Sequence, residues 1–124
     1  MGAASNKPDQ HLKYEFAYKL DDLEGVRSIL DDFLRLETRR YTGDEAASDL
    51  IIDLKEAIRL AKLTNKQRDV LQFHYVYGYK QREIGAQLGI ERSVVSRHLL
   101  AAEKKITRVY DHWSKLDRIG GYSI

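Results

Sequence analysis

A chain of 124 residues and 14.4 kDa is one domain, or one domain with a helical annex. Its 43% hydrophobic and 32% charged residues suit a globular fold and argue against long disorder, and the absence of cysteine excludes disulfides, thiolate metal sites and cysteine nucleophiles. The net charge of +2 hides a division: residues 1–63 hold 10 Lys+Arg against 13 Asp+Glu, whereas residues 64–124 hold 11 against 6. An acidic front and a basic back suit a chain whose second half meets nucleic acid.

Residues 1–9 are small and polar and are expected to form a flexible N-terminus. Leu12, Phe16, Leu20 and Leu23 then fall on one helical face, and Val26, Ile29, Leu30, Phe33 and Leu34 continue it past Gly25. The pattern allows one helix weakened at Gly25 or two helices meeting there. The run from Thr38 to Gly43 breaks the period and is expected to be a loop. A helix is predicted from Asp44-Glu45, whose acids suit a helix start, with Ala47, Leu50, Ile51, Leu54, Ile58 and Ala61 as its apolar face. Thr64 and Gln67 form a capping box for the next helix, which carries Val70, Leu71, Phe73 and Tyr75 and stops at Gly78. No stretch alternates with period two, so the fold class is all-α. The organisation expected is a helical region over 10–62, a DNA-binding unit over 63–119 and a tail over 120–124.

The segment from Lys80 to Leu99 meets the requirements of a helix-turn-helix. Ile84 and Leu88 face inward four residues apart, and Gly85 is small enough for a close crossing. Gly89 stands where the chain must turn through a left-handed residue. Ile90 plugs the corner, and Val95 and Leu99 anchor the second helix. An ordinary αα-corner that binds nothing shares part of this pattern. The outward face of the second helix argues for more, because Glu91, Arg92, Ser93, Ser96 and Arg97 cluster at its start, where this motif reaches base edges in the major groove. Lys104, Lys105 and Arg108 further along, with Lys80 and Gln81 at the start of the first motif helix, are candidates for phosphate contacts.

From Leu63 to Ile106 the chain resembles the fourth conserved region of bacterial sigma factors, which reads the −35 promoter element. The residues carrying the likeness include Leu63-Thr64, Gln67-Arg68, Val70-Leu71, Tyr75, Gly78, Glu83-Ile84, Leu88-Gly89-Ile90, Val95, Leu99, Ala102 and Lys104-Lys105-Ile106. LuxR-type response regulators share the helical core; the Tyr75 and Gly78 spacing and the basic stretch after Leu99 favour the sigma-like side. The resemblance implies a four-helix DNA-binding unit with Glu91 to Arg97 as its reading surface. Two positions depart from the pattern: Gly85 stands for the usual alanine, and Lys80 for a Ser or Thr cap. Each is expected to loosen the first motif helix by about 1 kcal/mol. Residues 9–62 are acidic and do not resemble the sigma region that melts the −10 element. The whole therefore looks like a small phage- or prophage-encoded sigma-like regulator rather than a complete initiation factor.

Beyond the motif the apolar positions continue through Ile106, Val109, Trp113 and Leu116, spaced four and three apart as a heptad seam, with Tyr110 beside them. They either pack on the front-half helices or form a homodimer or partner seam. A dimer predicts a palindromic DNA site. His11, His74, His98 and His112 show no metal-ligand spacing, and His98 reads as a phosphate neighbour or a packed ring. The pairs Asp21-Asp22 and Asp31-Asp32 read as a solvated face, and there is no glycine-rich phosphate loop. No catalytic residue, metal or cofactor is expected. No apolar run approaches the ~20 residues of a membrane span, and no basic-then-apolar leader opens the chain. A myristoylation motif fails at Asn6, where Ser or Thr is required. The expected partner is double-stranded DNA in the cytoplasm, the alternative being an accessory factor that acts mainly through RNA polymerase.

Overall fold

The computed structural model describes residues 18–118, which form six helices: α1 (Leu23–Asp31), α2 (Phe33–Tyr41), α3 (Glu45–Ala61), α4 (Asn65–Tyr75), α5 (Gln81–Leu88) and α6 (Arg92–Arg118). No strand occurs among the described residues, and the all-α expectation holds. The expectations for residues 1–9, for Leu12 and Phe16 and for the tail from Gly120 lie outside the described residues.

The front half differs from the periodicity at two places. The chain does not break at Gly25: α1 starts at Leu23, capped by the Asp22 carboxylate, which accepts the Glu24 amide, and Gly25 lies in its first turn. A Cβ at Gly25 would sit 1.9 Å from the Lys19 carbonyl oxygen, so the glycine is there for close backbone approach. The break comes instead at Asp32, whose backbone (φ −90°, ψ 4°) leaves helical geometry. The Asp32 carboxylate accepts the Tyr18 hydroxyl at 2.5 Å and pairs with Arg35 at 2.9 Å. Tyr18, fourteen residues away, thus contributes to the bend beside the local Arg35 pair.

The second difference is the expected loop from Thr38 to Gly43, which is helical through Tyr41. Arg39 and Arg40 suit the negative end of α2. Glu37 pairs with Lys55 of α3 at 3.1 Å, holding this turn against its neighbour. Only Thr42 and Gly43 (φ +95°) form the turn itself. The Asp44 carboxylate then caps α3 by accepting the Ala47 amide at 3.0 Å, at the predicted start.

Between α3 and α4 the connection is tight. Lys62 takes the left-handed conformation (φ 52°), and Thr64 and Gln67 make both bonds of the expected capping box at 3.1 Å. Helix α6, about 40 Å long at ~1.5 Å per residue, is the spine of the molecule, and α1, α3, α4 and α5 all pack on it. One apolar core joins both halves, with Val26, Ile29, Leu36, Ile51 and Leu54 in front and Val70, Ile84, Val95 and Ile106 behind. The change of composition near residue 63 is therefore not a gap in the packing.

Candidate nucleic-acid interface

Helices α5 and α6 form the helix-turn-helix. Gly89 ends α5 with φ +68°, and the Ile90 amide donates back to the Gly85 carbonyl at 3.0 Å, closing the turn. Ile84, Val95 and Leu99 are buried, while Leu88 and Ile90 are half-buried against the same core. The need for Gly85 is local: a Cβ there would lie 2.6 Å from the Ile90 carbonyl oxygen, so it is the turn, more than the second helix, that comes close. Its expected cost in helix propensity is set against a contact that alanine cannot make without moving the turn. At the start of α5 the cap is one-sided. The Lys80 amide donates to the Glu83 carboxylate at 2.8 Å, but the lysine ammonium has no acceptor to return the bond.

The Glu91 carbonyl accepts the amides of Val94 and Val95, placing Glu91 at the cap of α6. Glu91, Arg92, Ser93, Ser96 and Arg97 are all exposed, so the five predicted reading residues lie together at the free end of the second motif helix. Arg92 and Arg97 make no ion pair among the described residues, leaving both guanidinium groups available to an acceptor. His98 is half-buried behind them.

The predicted phosphate set is divided. Arg97, Lys104 and Arg108 are exposed and spaced seven and four residues apart, close to whole numbers of turns, so they form one solvent stripe along α6. Lys105 lies about 100° round from Lys104, and its ammonium donates to Gln67 Oε1 at 2.8 Å, on the capping box of α4. Lys80 is exposed at the start of α5; Gln81 is half-buried beside Ser96.

Ser96 and Gln81 share a polar cleft of about 280 Å³ with Arg27 and Asp31 of α1 and His74 of α4. The acidic half is thus not wholly turned away from the reading face, as its charge alone suggests. The floor of this cleft holds a residue to which sequence reasoning gave no role. Glu103 is 2% exposed, accepts Arg27 Nε at 3.0 Å, and takes the Tyr75 hydroxyl at 2.5 Å on its other oxygen. Burial, followed by the bond to Glu103, raises the Tyr75 pKa well above the ordinary tyrosine range. Bonding to Glu103 likewise raises that of Arg27. One carboxylate therefore fastens α1 and α4 to α6 beyond the helix-turn-helix. The available signal was its position: Glu103 stands four residues after Leu99 and seven before Tyr110, on the inward stripe.

The seam residues also divide. Ile106 and Tyr110 are buried in the chain's own core, which for these two is the intrachain alternative and not the partner seam. Val109, Trp113 and Leu116 are half-buried, and with Leu60 they border an open groove of about 650 Å³. Trp113 stacks edge-on against Tyr110 at 5.4 Å between centroids. Among the described residues no group of His, Asp and Glu is arranged to hold a metal ion, and no helix is long and apolar enough to cross a membrane.

No curated protein and no solved structure matches the chain. Residues 59–106 match the family described as sigma-70, region 4, a span that starts at the end of α3, takes in α4 and α5, and ends halfway along α6. Over that span the chain is similar to sigma-70 region 4, a helix-turn-helix of the DNA-binding kind.

Proposed function

We propose that the protein is a sequence-specific regulator of transcription that reads duplex DNA with the start of α6. The observation that carries this reading is the reading face itself: five exposed side chains, two of them arginines without carboxylate partners, held at the end of a helix by a left-handed turn. Arginine can pair bidentately with guanine and serine can bond to either partner, while the stripe of Arg97, Lys104 and Arg108 lies where phosphates would run. The role is binding rather than catalysis, in the cytoplasm of a bacterium, and the gene belongs to a phage or prophage.

Selection of bound DNA from a random pool tests this, followed by titration of the chosen site with Arg92→Ala and Arg97→Ala. Each substitution is expected to cost ~1–3 kcal/mol and to relax sequence preference. Equal binding by wild type and both variants refutes the assignment of the reading helix. The accessory reading, contact with RNA polymerase, draws on the same family match; it predicts weak binding alone and gain of binding when polymerase is added. The half-buried Val109, Trp113 and Leu116 support a homodimer as the finer part of the proposal, and a palindromic selected site would agree with it. A mass at micromolar concentration equal to one chain refutes the dimer.

A further inference from the structure

A second cleft lies where the front-half helices α1, α2 and α3 meet α4. It measures about 340 Å³ and is lined by Leu30 and Phe33 from the α1–α2 corner, Ile58 of α3, and Leu71 and Val76 at α4. Its remaining lining is Lys55, Arg59, Arg68, Gln72 and Tyr75, so every charged group at its edge is a cation. Lys55 pairs with Glu37 at 3.1 Å and Arg59 with Glu56, but neither acid lines the cleft. Arg68 makes no ion pair among the described residues.

From this arrangement we infer that the cleft binds a small amphipathic anion, an apolar body carrying one carboxylate or similar head group. The volume falls in the range of small-molecule pockets, whose walls are mostly apolar with a few polar groups fixing orientation. A partner helix would need a longer apolar stripe, with anchors over two or more turns. Here the apolar lining closes around a single cleft bounded by four helices. The rim decides the sign of the head group: Lys55 and Arg59 already hold acids of their own, but Arg68 has none and no carboxylate lines the cleft, which favours an anion over a neutral or cationic analogue of the same shape. Tyr75 lines the cleft and its hydroxyl donates to Glu103 of α6. An occupant would therefore touch the side chain that ties α4 to the reading helix.

The test uses the full chain and three probes of one chain length: octanoate, 1-octanol and octylammonium, titrated below their aggregation limits while backbone amide NMR shifts are followed. Octanoate is expected to move the amides of α4 and the α1–α2 corner in a saturable way, with 1-octanol roughly threefold to fivefold weaker and octylammonium weaker still. Arg68→Glu, a change at an exposed position, is expected to erase the preference for octanoate over 1-octanol while leaving the unligated spectrum folded. Val76→Trp should fill the cleft and abolish binding of all three. Equal binding of octanoate and 1-octanol to the wild-type chain overturns the anionic assignment. Failure of octanoate to shift these amides overturns the site, as does binding there of an acidic amphipathic peptide when octanoate does not bind.

Discussion

Removing Arg27 tests the reading of Glu103 as a tie between the two halves. Arg27→Met keeps the aliphatic bulk on α1 but leaves a carboxylate that is 2% exposed with Tyr75 as its remaining side-chain donor. Breaking a buried pair from one side costs about 3–5 kcal/mol. Arg27 itself is 40% exposed, so its end of the pair is screened by water and the lower figure, about 3 kcal/mol, is the one expected. Glu103→Gln keeps the shape and one acceptor oxygen, and Arg27 can turn to solvent, so its cost is expected at about 1–2 kcal/mol. The double variant Arg27→Met/Glu103→Leu has no charge left to strand. Its main loss is the acceptor of the half-buried Tyr75 hydroxyl, about 1–3 kcal/mol. It should therefore be no less stable than Arg27→Met alone, although it carries an additional substitution. Urea denaturation of the wild type and the variants, with unchanged m-values, measures each term. A loss below about 1 kcal/mol for Arg27→Met, or a double variant less stable than Arg27→Met, refutes the reasoning.

Other consequences follow from the same geometry. Lys104→Ala should reduce the salt slope of DNA binding by about one unit and leave stability alone, whereas Lys105→Ala should leave the slope and lower the melting temperature by loosening the α4 cap; titrations at several salt concentrations separate them. Gly25→Ala, which drives a Cβ into the Lys19 carbonyl, should unfold the chain at lower denaturant than Gly89→Ala, where there is open space and the left-handed backbone alone costs about 1–2 kcal/mol. Burial raises the pKa values of Tyr75 and Tyr110, so the unfolded chain ionises first. Their contribution to stability should be complete below the ordinary tyrosine value near pH ~10 and decline as the pH rises past it. Tyrosine absorbance followed with denaturation at alkaline pH measures both, and phenolate forming at Tyr75 near the ordinary tyrosine value refutes the burial argument.

Much of the site was legible because its requirements are local. A left-handed turn calls for Gly89, and a capping box for Thr64 and Gln67. The inward stripe of Ile84, Val95 and Leu99 leaves Glu91 to Arg97 outward by helical geometry alone. What failed to show was set by partners distant in sequence. Thr38 to Tyr41 lacks an apolar period but sits on the α2–α3 hairpin, with Glu37 of the same helix reaching Lys55. Tyr18 reaches the bend at Asp32 from fourteen positions away, and adjacent lysines of similar appearance meet different surroundings because Lys105 faces Gln67.

The uneven charge that the sequence displays from the start has the same double character. The order of residues by itself determined that the second half is basic, that it has the spacing of a helix-turn-helix and that the structure is helical, since each depends on residues within a few turns of one another. Only tertiary structure decided how the acidic half is used. Packing brings α1 alongside α6, so Arg27 crosses 76 positions of sequence to Glu103 and Asp31 enters the cleft beside Ser96. Helical periodicity specifies which face of a helix is buried, but not which neighbour covers it.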